Sequence, residues 1–235
     1  MEEIFTGKLG VIVYHANHLK SEQTLFSLYE KGYRNVTVYA LPFVERPERQ
    51  VLFQHRPNQK IAAHPQDICR WMDYSYRLVS HDKEIDNSCE LYLVAGAGIL
   101  SPECVQGKKI LNIHPGVVPA ARGLDAFKWS IYQGRPSGIT LHYIDKQVDL
   151  GEIVAIVPTP VFYSDTLESF ARRHYENELR IISDFAHYLC HPINPFKGIA
   201  QQESTRRMPL ELERELGRRF DEYKLKFAEN QLYKG

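Results

Sequence analysis

Short apolar runs alternate with amphipathic stretches along most of this chain. "KLGVIVY" (8–14) has the length and composition of a buried strand. "SEQTLFSLYEKG" (21–32) then places Leu25, Leu28 and Tyr29 on one helical face and ends at Gly32, a natural stop. "NVTVYAL" (35–41) is β-branched and strand-like. "FVERPERQVLFQHRPNQ" (43–59) is polar and broken by prolines, which predicts an irregular excursion, and "PQDICRWM" (65–72) suits a short helix with Pro65 in its first turn. Strands are expected at "YRLVS" (76–80), "CELYLVA" (89–95), "KKILNIH" (108–114), "GITLHYI" (138–144) and "EIVAIVPTPV" (152–161), with a helix over "DAFKWSIYQG" (125–134). The stretch 164–189 reads as one long helix, with Asp165 and Glu168 as a capping box. Its apolar stripe holds Leu167, Phe170, Ala171, His174, Ile182, Phe185 and Leu189.

Strands alternating with helices predict an α/β sheet, parallel at first, with helices on both faces. Loops at the carboxyl ends of the central strands hold the ligand site in such sheets, and Asn112 and His114 fall there. After residue 190 the pattern changes to a loop, "HPINPFKG", and a charge-rich helical stretch, 208–227. The expected division is therefore 1–190 for the sheet-bearing unit and 191–235 for a small, mainly helical C-terminal extension.

A length of 235 residues allows one sizeable core. Lys and Arg number 29 against 29 Asp and Glu, so no global field favours nucleic acid or an anionic membrane. The four cysteines, Cys69, Cys89, Cys104 and Cys190, form no C-x-x-C pair and read as reduced core thiols. The opening "MEEIFTGKLGVIVY" has too short an apolar run for a signal peptide, and no window has the apolar length of a membrane span. The expectation is a soluble cytoplasmic protein that binds neither nucleic acid nor membrane.

"LNIHPGVVPAARG" (111–123) carries the candidate chemistry. Asn112 and His114 are one residue apart on a strand, so their side chains share a face. An amide can donate to a developing oxyanion, and an imidazole can donate to it or move a proton. "YIDKQVDLGEI" offers Asp145 and Asp149 to take the proton a nucleophile loses. No Ser or Cys sits in a recognisable elbow, so direct attack by a substrate amine is the simplest chemistry. Taken singly, an Asn-x-His on a strand or an aspartate in a turn has an ordinary structural reading; their combination in register favours function.

The run 89–161 resembles the core of the N10-formyltetrahydrofolate-dependent formyltransferases. It supplies "GILSPE" (98–103), "NIHPGVVPAARG" (112–123), "GITLHYID" (138–145) and "VDLGEIV" (148–154) in that family's order and spacing. The resemblance implies a Rossmann-like, mostly parallel twisted sheet and a catalytic trio of Asn112, His114 and Asp149. Asn112 and protonated His114 would hold an oxyanion, while Asp149 would tune His114 and help remove the amine proton. The co-substrate would be N10-formyltetrahydrofolate, with no metal. Its pterin ring would lie against Ala95, Gly96, Ala97, Gly98, Ile99 and Leu100 and against Asp145, Lys146, Gln147 and Val148. His142 is expected to support the site, and Trp129 and Tyr132 to pack a helix.

The family's acceptors differ. The enzyme acting on glycinamide ribonucleotide carries a Gly/Ser-rich phosphate loop after its first strand, where this chain reads "VIVYHANHLKSEQ" without a glycine. The enzyme acting on methionyl-tRNA adds a basic C-terminal β-barrel, and the hydrolase an extra domain before the core. The chain is thus most similar to the sugar-nucleotide N-formyltransferases. That resemblance implies a dTDP-linked 3- or 4-amino-dideoxyhexose as acceptor, a role in O-antigen lipopolysaccharide biosynthesis, and a homodimer. Arg122 could contact a phosphate or be purely structural, and the segments 43–59 and "STRRMP" (204–209) offer Arg and aromatic groups for a diphosphate and base, or are solvated loops. Glycinamide ribonucleotide, and a non-catalytic binding module of the same fold, remain the alternatives.

Overall fold

A computed structural model describes residues 5–45, 49–145 and 151–228. Seven strands form one sheet in the order β3-β2-β1-β4-β5-β6-β7. The strands are β1 (Leu9–Tyr14), β2 (Val36–Leu41), β3 (Ser75–Leu78), β4 (Leu91–Val94), β5 (Ile110–His114), β6 (Gly138–Tyr143) and β7 (Ile153–Pro158). β1 to β5 pair in parallel, and β6 and β7 continue the sheet antiparallel. The helices are α1 (Leu19–Glu30), α2 (Pro65–Met72), α3 (Pro102–Val105), α4 (Ala126–Tyr132), α5 (Leu167–Ser183), α6 (Phe185–Cys190), α7 (Leu210–Glu213) and α8 (Leu216–Phe227).

Continuous apolar runs make continuous burial. Every residue of β2 and β4 is buried, as strands covered on both faces require. Along β1 the two-residue period divides the core. Leu9, Val11 and Val13 join one cluster with Leu25, Ile68, Ile182 and Phe185 of α1, α2, α5 and α6. Ile12 points to the other face, towards Tyr39, Tyr92 and Cys104. A third cluster joins Phe127 and Ile131 of α4 and Phe170 of α5 to Met208, Leu216, Phe220 and Tyr223. The chain beyond residue 190 is thereby packed onto the sheet-bearing part. It also adds bridges from Ile193 to Ala155 and from Thr205 to Gly123.

Three expectations needed correction. The stretch 164–189 is two helices, because the chain turns at Asp184 between α5 and α6. The capping box belongs to Thr166 and Ser169 rather than to Asp165 and Glu168. Asp165 is instead held by the guanidinium of Arg173 through two bonds of 2.7 Å. A bidentate ion pair with the second turn of the helix outweighs an ordinary cap here. Cys190 is exposed, unlike the three buried thiols. It closes α6 where the chain leaves the core.

Thr166→Ala removes one half of the observed box and should cost about 1 kcal/mol. For a chain of this size that lowers Tm by roughly 2–4 °C. Calorimetric scans of Thr166→Ala and Glu168→Ala should show the larger loss in the first; the reverse order would restore the sequence-based cap.

Candidate functional site

β5 is the strand where the sheet changes direction, with parallel β4 on one side and antiparallel β6 on the other. The ladder sets Asn112 opposite His142 and His114 opposite Thr140. Asn112 Nδ2 lies 3.3 Å from His142 Nε2, and His142 Nδ1 lies 3.0 Å from the Tyr143 carbonyl. A carbonyl only accepts, so the His142 proton sits on Nδ1 and Nε2 accepts from the Asn112 amide. His142 thus stands against the Asn112 amide, across the ladder from it.

His114 is buried at the end of β5, and its Nε2 donates to the Ala121 carbonyl at 2.8 Å. That acceptor keeps a proton on Nε2. The loop making this contact is folded back tightly. Thr140 Oγ1 donates to the Gly116 carbonyl at 2.6 Å and accepts from Val118 N at 3.1 Å. A Cβ on Gly116 would stand 2.5 Å from the Ala121 oxygen and 2.8 Å from His114 Nε2. Glycine is required there by close approach, not by a special dihedral.

The strand order reverses between β1 and β4, and a crevice opens beyond their carboxyl ends. Its cavity of about 450 Å³ is lined by Tyr14, Leu41, Pro42, Gly98, Ile99 and Leu100, among others. Ile99 is 86% exposed, and nothing lies within 4 Å of a Cβ placed on Gly98. Ala95 is buried behind this rim, and Ala97 packs partly buried against the same core face as Leu100. A Cβ on Gly96 would crowd Ser21, His18 and Tyr14. Asp145 follows β6 and is exposed. Lys146, Gln147, Val148 and Asp149 lie outside the described residues. Gly151, where the described chain resumes, passes so close to the Tyr143 carbonyl that a side chain there would collide with it. Arg122 Nε and a terminal nitrogen donate to the Gln202 carbonyl at 3.3 and 3.1 Å, tying the loop after β5 to the C-terminal segment.

Beside this strand end lies a buried charge network absent from the sequence-based reading. Glu178 of α5 is paired with Lys20 at 2.7 Å and Arg56 at 2.5 Å. Burial alone would raise its carboxyl, but Arg56 and then Lys20 overrule it and hold it at about 2. His174, one turn earlier, bonds to Thr159 Oγ1 at 2.9 Å and donates to the Pro115 carbonyl at 3.3 Å. Burial lowers it to about 4; burial and then Lys20 and Arg56 lower His18 similarly, also to about 4. The register of Glu178, four residues after His174 and eight after Phe170, was the available signal: it puts a carboxylate on the buried stripe. The leading amides of α1 are also occupied. Leu19 N donates to the Gln59 carbonyl at 2.8 Å and Lys20 N to the Gln59 side chain at 3.1 Å.

Among the described residues no cluster of His, Cys, Asp and Glu could hold a metal, and no helix is long and apolar enough to cross a membrane.

The family model for formyl transferase matches residues 50–185. The phosphoribosylglycinamide formyltransferase of Haemophilus influenzae is 34% identical over 130 residues, which cover 52% of this chain and 61% of that one. The chain therefore spans less than two thirds of that relative's length. Among solved structures, a phosphoribosylglycinamide formyltransferase from Streptococcus pneumoniae TIGR4 aligns with a TM-score of 0.53 at 18% identity, over 79% of this chain and 98% of that one. A 4-N formyltransferase from Francisella tularensis aligns with a TM-score of 0.55 at 14% identity, over 97% and 90%. These structural likenesses describe the fold.

The buried histidines make a pH prediction. A group whose pKa is lower folded than unfolded favours the folded state only while neutral. The contribution of His174 is complete above its ordinary 6.5 and is lost as pH falls towards about 4, a window in which Glu178 stays ionised. Urea unfolding across that window should show stability falling with pH, less steeply in His174→Gln. Identical slopes in the two proteins would remove His174 from this account.

Proposed function

Because this chain belongs to the formyl transferase family, we propose that it transfers a formyl group from N10-formyltetrahydrofolate to the amine of a nucleotide-linked amino-dideoxy sugar. The juxtaposition of Asn112 and His114 at the end of β5 carries the chemical part of this reading. The substrate amine attacks the formyl carbon, and the carbonyl electron pair moves to oxygen. The Asn112 amide, oriented by His142, donates to that oxyanion. His114 supplies the second donor from its other ring nitrogen, because Nε2–H is engaged with Ala121. Asp149 takes the proton from the attacking nitrogen. The intermediate then releases the folate nitrogen, which is reprotonated, and leaves a formamide.

The crevice between β1 and β4 is the proposed folate pocket. Its apolar edge of Ile99 and Leu100 and its open backbone at Gly98 suit one face of a flat ring. Asp145, Lys146, Gln147 and Val148 are proposed to meet the ring's polar edge.

The choice of acceptor rests on α1. A helix N-terminus binds phosphate through free amides and the helix dipole. Here Gln59 occupies the leading amides, and His15, Asn17 and His18 of the preceding turn bond to Tyr76, Ala62 and Ser21. A ribose phosphate has no cradle at that position. The alignment with a 4-N formyltransferase over 97% of the chain, C-terminal segment included, supports the same choice. The curated relatives' glycinamide acceptor is the competing reading.

Incubation with N10-formyltetrahydrofolate and a panel of amines, read by product mass, decides between them. A dTDP-amino-dideoxyhexose should be formylated with saturation, and glycinamide ribonucleotide should not be at comparable concentration. Efficient turnover of glycinamide ribonucleotide alone would overturn the acceptor while keeping the chemistry.

A further inference from the structure

Two polar segments more than a hundred residues apart meet against α4. Arg49, His55 and Arg56 come from the 43–59 excursion, Arg207 from the stretch before α7, and Asp125 and Lys128 from the start of α4. Together they line a cavity of about 420 Å³. From the sequence alone both segments read as either solvated loops or phosphate ligands; the fold brings Arg49, Arg56 and Arg207 to one wall.

The charges around the cavity do not cancel. Lys128 is buried and pairs with Glu213 at 2.6 Å, and Arg49 reaches the same carboxylate at 3.5 Å. Arg56 shares Glu178 with Lys20, and Arg207 stands 3.7 Å from Asp125. Among the described residues, the four lining cations Arg49, Arg56, Lys128 and Arg207, together with Lys20, meet three carboxylates, Glu213, Glu178 and Asp125. Two of these carboxylates each serve two cations, and Arg49 also donates to the Met208 carbonyl, so among the described residues the cations outnumber the carboxylates facing them. An anion with several oxygens meets that surplus with charge-assisted bonds. The position relative to the strand end is also defined. The His55 ring stacks on Phe127 at 5.8 Å, Phe127 packs on His174 at 4.8 Å, and His174 bonds to the carbonyl of Pro115, the residue after His114. The cavity is one aromatic layer from β5.

We propose that this cavity binds the diphosphate of the acceptor, with Arg49, Arg56, Lys128 and Arg207 as the cationic wall. The proposal rests on the nucleotide-sugar reading for its ligand. It explains why α1 can be closed by Gln59: the anion-binding task falls to side-chain donors of this cavity instead of to the amides of α1. Arg207 is the most accessible member and the least tightly paired, so it is the group freest to turn onto a phosphate oxygen.

Calorimetry with inorganic pyrophosphate and with dTDP tests this. Both should bind the wild-type protein, more weakly as salt rises. Arg207→Ala and Arg49→Ala should each weaken binding about tenfold, as loss of one charge-assisted bond of roughly 1.4 kcal/mol would. Arg70→Ala, on a surface pair with Asp67, should leave binding unchanged. Phenylglyoxal labelling of the wild-type protein, mapped by mass spectrometry, covers the case of a variant that does not fold. Pyrophosphate should protect Arg207 and Arg49 and not Arg70. Absence of binding by both probes, or binding indifferent to both variants and without protection, would overturn the proposal. Pyrophosphate binding at this wall in a protein that formylates no sugar nucleotide would keep the anion site and refute the acceptor.

Discussion

The Ala121 carbonyl decides which nitrogen of His114 carries its proton, and much of the surrounding architecture maintains that contact. A main-chain oxygen can only accept, so Nε2–H donates to it. The contact exists because the chain folds back immediately after β5. That return needs Gly116 to carry no side chain and Thr140 to satisfy both the Gly116 carbonyl and the Val118 amide. Thr140 is available because β6 runs antiparallel beside β5. The same pairing brings His142 against Asn112. One reversal of strand direction thus supports both side chains.

The second constraint is electrostatic. Glu178 lies in the core and would be costly unless paired, so Lys20 and Arg56 are drawn inward to it. Lys20 belongs to the first turn of α1 and Arg56 to the excursion after β2, and Gln59 comes with the latter to close the helix end. A buried carboxylate on α5 therefore helps fix the closed N-terminus of α1. The Lys128–Glu213 pair likewise ties α4 to α7.

Much of this was legible in the residues. Apolar runs located all seven strands, and the one-residue spacing of Asn112 and His114 placed them on one face of the correct strand. What escaped depends on partners distant in the chain. Asp165 looked like a cap because its contest with Arg173 cannot be read from propensity. The break at Asp184 interrupts a stripe whose period continues through it. Gln59 had no local feature to mark it as the cap of a helix beginning forty positions earlier. The arginines of 43–59 and 204–209 are plain in the sequence, but only the packing of α4 against the C-terminal segment shows that Arg49, Arg56 and Arg207 face one cavity.

The central claim is that Asn112 and His114 perform the transfer, and single-site kinetics test it most directly. Steady-state formylation should be measured for the wild type, Asn112→Ala and His114→Ala with saturating N10-formyltetrahydrofolate. Loss of an oxyanion donor should lower kcat by roughly 10²–10³ while KM changes little. Turnover near the wild-type rate in both folded variants would contradict the account.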